Sequence, residues 1–334
     1  MQPNKTTTTK RLTHGRGYIL LAAFASTLFA GCRGHASAEG TFDKTFAVDG
    51  PVRLELSTGR GDSRVTTGPP GQVRVHGEIQ ANSWSEESGK RHVQEAESNP
   101  PVSQESNLIR VGGGSQHGGS VSIDYTIVLP ADSEIHITTG SGDVEVTGVK
   151  GPANFTTGSG AISASNIAGD VHATAGSGDI KLSNIQGEVQ AAAGSGDLTL
   201  EDVRGLARLH TGSGDLGITN PGDAVQINTV SGNINIKGAS PDIRVRTSSG
   251  DVNVEGNPGA SNYWDFNTSS GEVVLQVPPT ASFRLYARSS SGDIDAAIPI
   301  VMEGTAGKHE LRARIGDGKA RVEVETSSGD ISLK

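Results

Sequence analysis

Ser177-Gly-Asp-Ile-Lys-Leu-Ser-Asn-Ile-Gln-Gly-Glu-Val-Gln-Ala-Ala-Ala-Gly194 is one unit of a repeat, and Ser195-Gly-Asp197 begins the next. The tripeptide Ser-Gly-(Asp/Asn/Ala) stands at Ser141, Ser159, Ser177, Ser195, Ser213, Ser231 and Ser249, always 18 residues after the previous copy. Further copies at Ser270 (with Glu272 in the acidic place), Ser291 and Ser328 widen the step to 21, 21 and 37 residues. A fixed period of this length is the mark of one supersecondary unit stacked on its neighbours.

Two runs of period-2 alternation lie inside each unit. With the Ser as position 1, positions 4 and 6 are apolar, as in Val144/Val146, Ile180/Leu182 and Ile234/Ile236, around the polar Glu145, Lys181 and Asn235. Positions 13 and 15 are apolar again, as in Val189/Ala191 and Val225/Ile227, while positions 14 and 16 carry residues such as His172, Gln190, Arg208, Arg244 and Arg246. Alternation of this kind describes short strands with one buried face. One strand pair cannot bury that face alone, but stacked coils can. The fold expected is therefore all-β: a β-solenoid of ~18-residue coils, two short strands per coil. An antiparallel meander is the competing reading for residues 41–130.

Upstream of the repeat the chain begins with an address. Lys5, Lys10, Arg11 and Arg16 precede an apolar run from Ile19 to Ala30, which ends in Leu28-Phe-Ala-Gly-Cys32. The run is too short to span a bilayer and suits a signal-peptide core. Its end resembles a bacterial lipoprotein signal, which implies cleavage before Cys32 and lipidation of that thiol; Phe29 departs from the usual Leu. Cys32 is the only cysteine, so no intrachain disulfide forms. The expected organisation is a signal peptide over 1–31, lipidated Cys32 and a tether over 32–40, a β-rich region over 41–130, and the solenoid with a C-terminal cap over 131–334. Within 41–130, the polar stretch Ser85–Ser98 is flanked by Ser85 and by Asn99-Pro-Pro101, start and stop signals of a short helix. Loss of residues 1–31 would take the net charge from −9 to −13. That balance argues against nucleic acid as a partner.

The turn itself suggests chemistry. Gly142 and its equivalents suit positive φ, and Ser and Asp side chains suit bonds to nearby backbone N–H groups. The Gly-Ser-Gly-Asp run also resembles the loop of calcium-binding β-rolls, which makes Asp143, Asp179, Asp197, Asp215 and Asp251 candidate calcium ligands. Against calcium stand the 18-residue spacing, Ala161 and Asn233 in the acidic place, and the missing doubled glycines. Arg60-Gly-Asp62 reads as an early copy of the same turn rather than as a recognition triplet. The threonines at position 17 (Thr157, Thr211, Thr229, Thr247) face the core columns and suit hydroxyl contacts at a corner.

Other chemistry is sparse. The nine His do not converge at zinc spacing, and no nucleophile elbow or phosphate loop is present, so no catalytic residues are named. Tyr263, Trp264, Phe266, Phe283 and Tyr286 cluster where the repeat lengthens. They can plug the end of the core. Alternatively Tyr263 and Trp264, with Arg208, Arg244 and Arg246, form a ligand surface for a sugar chain or a protein. An acidic cleft near Trp264 would make the solenoid a carbohydrate-active enzyme.

The recurring Ser-Gly-Asp-Ile/Val with alternating strands, the Pro130 that closes Tyr125-Thr-Ile-Val-Leu-Pro130, and the lipoprotein-type start together resemble the bacterial β-strand-repeat family labelled "putative adhesin". The resemblance spans roughly residues 41–334. It implies an exported β-solenoid of the cell envelope, with adhesion as the proposed role and no catalytic residues. The partners it implies are the membrane through Cys32, and an envelope protein or polysaccharide. No cofactor is expected beyond the calcium alternative.

Overall fold

The computed structural model describes residues 36–113, 121–238, 242–303 and 307–334. The signal segment, Cys32 and most of the glycine loop that carries His117 lie outside them. Residues 35–334 form one compact unit.

Two long sheets face each other across a narrow core, one of 14 strands and one of 15. The strand that follows each Ser-Gly-Asp turn, such as Ile180–Ile185, belongs to the first sheet. The strand in the second half of each unit, such as Val189–Ser195, belongs to the second. Neighbouring coils pair parallel and in register, so Ile162, Ile180, Leu198, Leu216 and Ile234 form a continuous column. Every member of that column is at most 1 % exposed. Parallel pairing makes the repeat a solenoid; within 41–130 the pairing is mixed, parallel between Arg53–Thr58 and Leu108–Gly112 and antiparallel between Gln72–Ser83 and Val121–Pro130.

The sequence boundary at residue 130 does not divide two folds. Strands Arg53–Thr58 and Ser63–Gly68 already make a complete coil, pairing parallel with Glu134–Thr139 and Val144–Thr147. Arg60-Gly-Asp62 is the turn of that coil. On its other side lie Leu108–Gly112 and Val121–Pro130, also parallel. The coil that comes first in the chain is therefore second in the stack.

The far end does the same. The last strands of the chain, Ala320–Ser328 and Ile331–Leu333, insert between the coil of Tyr263–Ser270 and Val273–Gln276 and the coil of Phe283–Ser289 and Ile294–Ala296. That insertion accounts for the 37-residue step to Ser328. The coil built by residues 320–333 occupies the place that residues 283–296 would take in an uninterrupted array.

Antiparallel strands cover the ends, as an exposed parallel edge requires. Gln72–Ser83 and Ala36–Ala47 extend the first sheet, so the expected tether is already strand from Ala36 onward. Val102–Glu105 closes the second sheet at this end, and Glu310–Ile315 with Val301–Met302 extends it at the other. Helix Glu86–Ser98 buries Gly89, Val93 and Ala96 against the first two strands of the cap. The Ser85 side chain accepts from the Ser88 N–H at 3.3 Å, and Glu86 and Glu87 complement the helix N-terminus.

The Ser-Gly-Asp turn holds the coils together in a way its local chemistry does not suggest. Asp179 Oδ1 accepts the backbone N–H of Asp197 at 2.9 Å, Asp197 Oδ1 accepts that of Asp215 at 2.8 Å, and Asp215 Oδ1 accepts that of Asn233 at 2.7 Å. Asn233 continues the ladder to Asp251, and Asp251 to Glu272. At the N-terminal end it runs from Asp124 through Asp62 and Asp143 to Ala161. These are bonds between coils, not turns closing on themselves. A neutral Asn also makes the rung, at 3.2 Å for Asn233, and Ala161 breaks the run because it offers Asp179 no oxygen.

The glycine has a steric role. A β-carbon on Gly178 would collide with the carbonyl oxygen of Gly160 in the coil below. At Gly142, Gly160, Gly178 and Gly196 the backbone is not in the left-handed region, so close approach alone requires glycine there, whereas Gly61 (φ 107), Gly214 (φ 158), Gly232 (φ 131), Gly250 (φ 134) and Gly271 (φ 138) combine close approach with the expected positive φ. A further left-handed corner lies elsewhere in the coil. Asn166 (φ 57), Asn184 (φ 52), Asp202 (φ 55) and Asn220 (φ 53) form a second column, continued by glycine at Gly148 and Gly238. Asn and Asp tolerate this conformation best among residues with side chains. Asn184 Nδ2 also donates to Asn166 Oδ1 at 2.6 Å.

Inward threonines staple the Ser-Gly-Asp turn. Thr157 is 2 % exposed, and its Oγ1 accepts the Gly160 N–H at 2.9 Å.

The broken rung gives a test. Ala161→Asn should restore an acceptor for Asp179 and stabilise the stack by about 0.5–1.5 kcal/mol, while Asp197→Ala should cost a similar amount. Apparent unfolding midpoints in urea check both, and Asp197→Asn should be nearly neutral.

Candidate functional site

At the C-terminal end of the second sheet, side chains of four neighbouring strands and the segments beside them form a groove of about 740 Å³. Alternation decides which residues reach it. In Ala320–Ser328, Ala320, Val322 and Val324 are buried, so Arg321 and Glu323 point out. In Phe283–Ser289 the buried Phe283, Leu285 and Ala287 leave Arg284 and Tyr286 outside. In Glu310–Ile315 it is Arg312 and Arg314 that remain. Parallel and antiparallel register then set these side chains in rows: Tyr263, Arg321, Arg284 and Arg314 lie opposite one another in turn, as do Asp265, Glu323, Tyr286 and Arg312. The row spacing is the strand spacing, about 4.8 Å.

Arg284, Arg312, Lys319 and Arg321 line the groove with two acids, Glu303 and Glu323, so it is basic on a chain of net charge −9. The tyrosine rings are occupied by guanidinium groups: Arg321 lies 5.6 Å and Arg244 6.0 Å from the Tyr263 ring centre, and Arg312 lies 5.2 Å from that of Tyr286. Such contacts fix the arginine side chains at modest cost and leave their donor forks available. The Tyr263 hydroxyl donates to Glu323, which also pairs with Arg321. Glu303 pairs with Arg314 at 3.3 Å. Gly318 (φ +67) forms part of the floor, and a β-carbon there would press on the stems of Arg284 and Arg314.

The residues expected to form a ligand surface separate into three groups. Trp264 is 0 % exposed and meets Phe266 edge to face, with centroids 6.2 Å apart, so it belongs to the core and offers no platform for a sugar. Phe266 and Phe283 are buried with it, filling the wider coils near this end. Tyr263 and Arg244 do meet, at the edge of the groove. Arg246 instead pairs with Asp265 at 2.8 Å, and Arg208 with Glu188 at 3.1 Å. Arg208 is separated from Arg244 by Gln226 in the outward column and takes no part in the groove. The acidic cleft expected beside Trp264 is replaced by two carboxylates already engaged by arginine.

The column of Asp143, Asp179, Asp197, Asp215 and Asp251 lies at the turns, with a carboxylate oxygen of each accepting an N–H of the next coil at Ala161, Asp197, Asp215, Asn233 and Glu272. Among the described residues no group of three or more His, Cys, Asp or Glu side chains is arranged to hold a metal ion. Arg284, Arg312, Arg314, Lys319 and Arg321 were not singled out by sequence. Their period-2 spacing marks them as outward-facing, but the inverted order of the last coils hides the fact that they meet.

A family model described as Toastrack DUF4097 matches residues 118–201 and 185–334. No curated protein matches the chain. Among solved structures, the chain resembles a "putative cell adhesion protein" from Clostridium sporogenes at 13 % identity and TM-score 0.20, covering 88 % of this chain and 99 % of that one. It resembles a "putative adhesin" from Bacteroides fragilis at 14 % identity and TM-score 0.29, over 88 % and 97 % of the two chains. The third is a "putative lipid binding protein" from Parabacteroides distasonis, at 11 % identity and TM-score 0.31, over 88 % and 96 %.

The Tyr263 hydroxyl gives a spectroscopic handle on the groove. Burial first, then the hydrogen bond to Glu323 and the nearby charge of Asp265, push its pKa up to about 12. Burial alone pushes Tyr125 up as well. A raised folded-state pKa means the neutral phenol is favoured, so this contribution to stability is complete below the ordinary value near 10 and is lost as pH rises toward 12. Phenolate absorbance should show Tyr263 ionising late, and Tyr263→Phe should remove one late-titrating group while leaving that of Tyr125.

Proposed function

The chain belongs to the Toastrack DUF4097 family, and from that premise we propose that it is a non-enzymatic, lipid-anchored scaffold of the bacterial cell envelope. In this reading the N-terminal signal exports it, Cys32 carries the lipid, and the solenoid presents a surface for adhesion through protein or polysaccharide contacts.

The observation that carries the reading is the polarity of the rod. Described structure begins at Ala36, four residues after Cys32, in the strand at one extreme of the first sheet. The basic groove lies among the last strands at the opposite extreme. Fourteen strands at about 4.8 Å put roughly 60 Å between those ends. A lipid at Cys32 would therefore hold one cap at the membrane and the groove well away from it.

Trp84 supports the same orientation. It follows Ser83, the register partner of Ala36, and is 83 % exposed at the cap where the described structure begins. An exposed indole is suited to the boundary between lipid and water. Glu303 and Glu323 are bound by arginine, consistent with a surface that recognises rather than transforms a ligand.

Cell fractionation of the full chain tests the anchor. The wild type should sediment with membranes and Cys32→Ala should move to the soluble fraction, whereas unchanged sedimentation would overturn lipid anchoring. Trp84→Ala should keep the lipid but loosen the rod's orientation, seen as easier proteolysis of the N-terminal cap on vesicles. The adhesion reading fails if the protein binds no envelope protein or polysaccharide and its deletion leaves cell adhesion unchanged.

A further inference from the structure

The groove's central residue points to the chemistry of its ligand. Arg284 stands between Arg321 on one neighbouring strand and Arg314 on the other. Like charges directly opposite one another destabilise a sheet. Arg321 is relieved by Glu323 and Arg314 by Glu303, but among the described residues Arg284 has no carboxylate partner. Its side chain is exposed and always charged, and a β-carbon on Gly318 would come within 3.2 Å of its stem and 3.0 Å of that of Arg314. The row thus stores a repulsion that an anion in the groove would relieve.

We propose that this groove binds a polysaccharide bearing carboxylates, a uronate-type chain, with Arg284 as the central carboxylate contact. The proposal deepens the polysaccharide-contact reading above and rests on it. A planar guanidinium fork matches a carboxylate in two parallel hydrogen bonds. Neutral sugar polymers would leave Arg284 unsatisfied, and their usual stacking platforms are missing because Trp264 is buried and arginines cover the tyrosine rings. Densely charged polymers such as polyphosphate would meet Glu303 and Glu323 inside the groove and a strongly acidic body around it. A uronate chain carries one charge per sugar together with hydroxyls. Those hydroxyls suit the carboxylates and the Ser261 and Asn262 side chains on the groove wall.

Binding of polygalacturonate to the full chain, measured by calorimetry beside its methyl ester and polyphosphate, tests the proposal. Polygalacturonate should bind with an affinity that falls as salt rises, and the methyl ester should not bind. Arg284→Gln should weaken binding roughly ten- to a hundredfold, the loss of one charge-assisted contact. Lys181→Gln, on the outer face of the other sheet, should leave binding unchanged. Equal binding of the methyl ester, or polyphosphate binding as tightly as polygalacturonate, would overturn the ligand class. Polygalacturonate binding that Arg284→Gln does not weaken, with its thermal melt unchanged, would overturn the groove as the site while leaving the polysaccharide-contact reading intact. Absence of polygalacturonate binding would overturn the proposal without touching the Cys32 fractionation result.

Discussion

The whole structure depends on how closely two backbones approach at the Ser-Gly-Asp turn. Parallel strands fix the distance between coils, and at this corner the chain has no room for a β-carbon between one carbonyl and the next α-carbon. Glycine meets the steric demand. The residue after it supplies an oxygen that reaches the N–H of the coil above, at a place where the backbone has left the sheet and lost its ladder partner. The steric requirement recurs in every coil and the oxygen in all but that of Ala161, which is why the tripeptide returns so faithfully while the strands vary among Val, Ile, Leu and Ala.

A stack built this way has two raw ends, and the chain treats both alike. It lays down one coil out of order, so that a coil made elsewhere in the sequence becomes the terminal one, and then covers the edges with antiparallel strands. Edge protection and end-to-end fastening come from the same device. Segments far apart in sequence are locked at each end, 320–333 between 263–276 and 283–296, so neither cap can fray without separating coils that the chain has interleaved. At the C-terminal end this interleaving also assembles the basic groove, because it brings Arg321 between Tyr263 and Arg284.

The repetitive part of the fold was readable because period and alternation are local properties. The columns of Ile162, Ile180 and Leu198, the two strands per coil and helix Glu86–Ser98 follow from spacing and capping residues alone. What sequence did not yield depends on contacts between coils. The Asp column invited a metal because carboxylates in register suggest ligands, while their bonds to the next coil's N–H groups appear only once the coils are stacked. The left-handed corner did leave a signal, Asn, Asn, Asp and Asn at 18-residue steps through Asn166, Asn184, Asp202 and Asn220, flanked by glycine. It was overshadowed by the more conspicuous turn. Trp264, Phe266 and Phe283 plug the core, the first of the two readings of the aromatic cluster, and the groove was missed because coil order cannot be read from the chain. The 37-residue step to Ser328 was the visible trace of that inversion.

Native-state amide hydrogen exchange at the turns addresses the ladder most directly. The N–H groups of Asp197, Asp215 and Asn233 sit at exposed corners, yet each is bonded to a side-chain oxygen of the preceding coil. The N–H of Asp179 follows Ala161 and has no such oxygen. Slow exchange at the first three with markedly faster exchange at Asp179 is the predicted pattern. Equal exchange at all four positions would contradict the claim that these rungs tie the coils together.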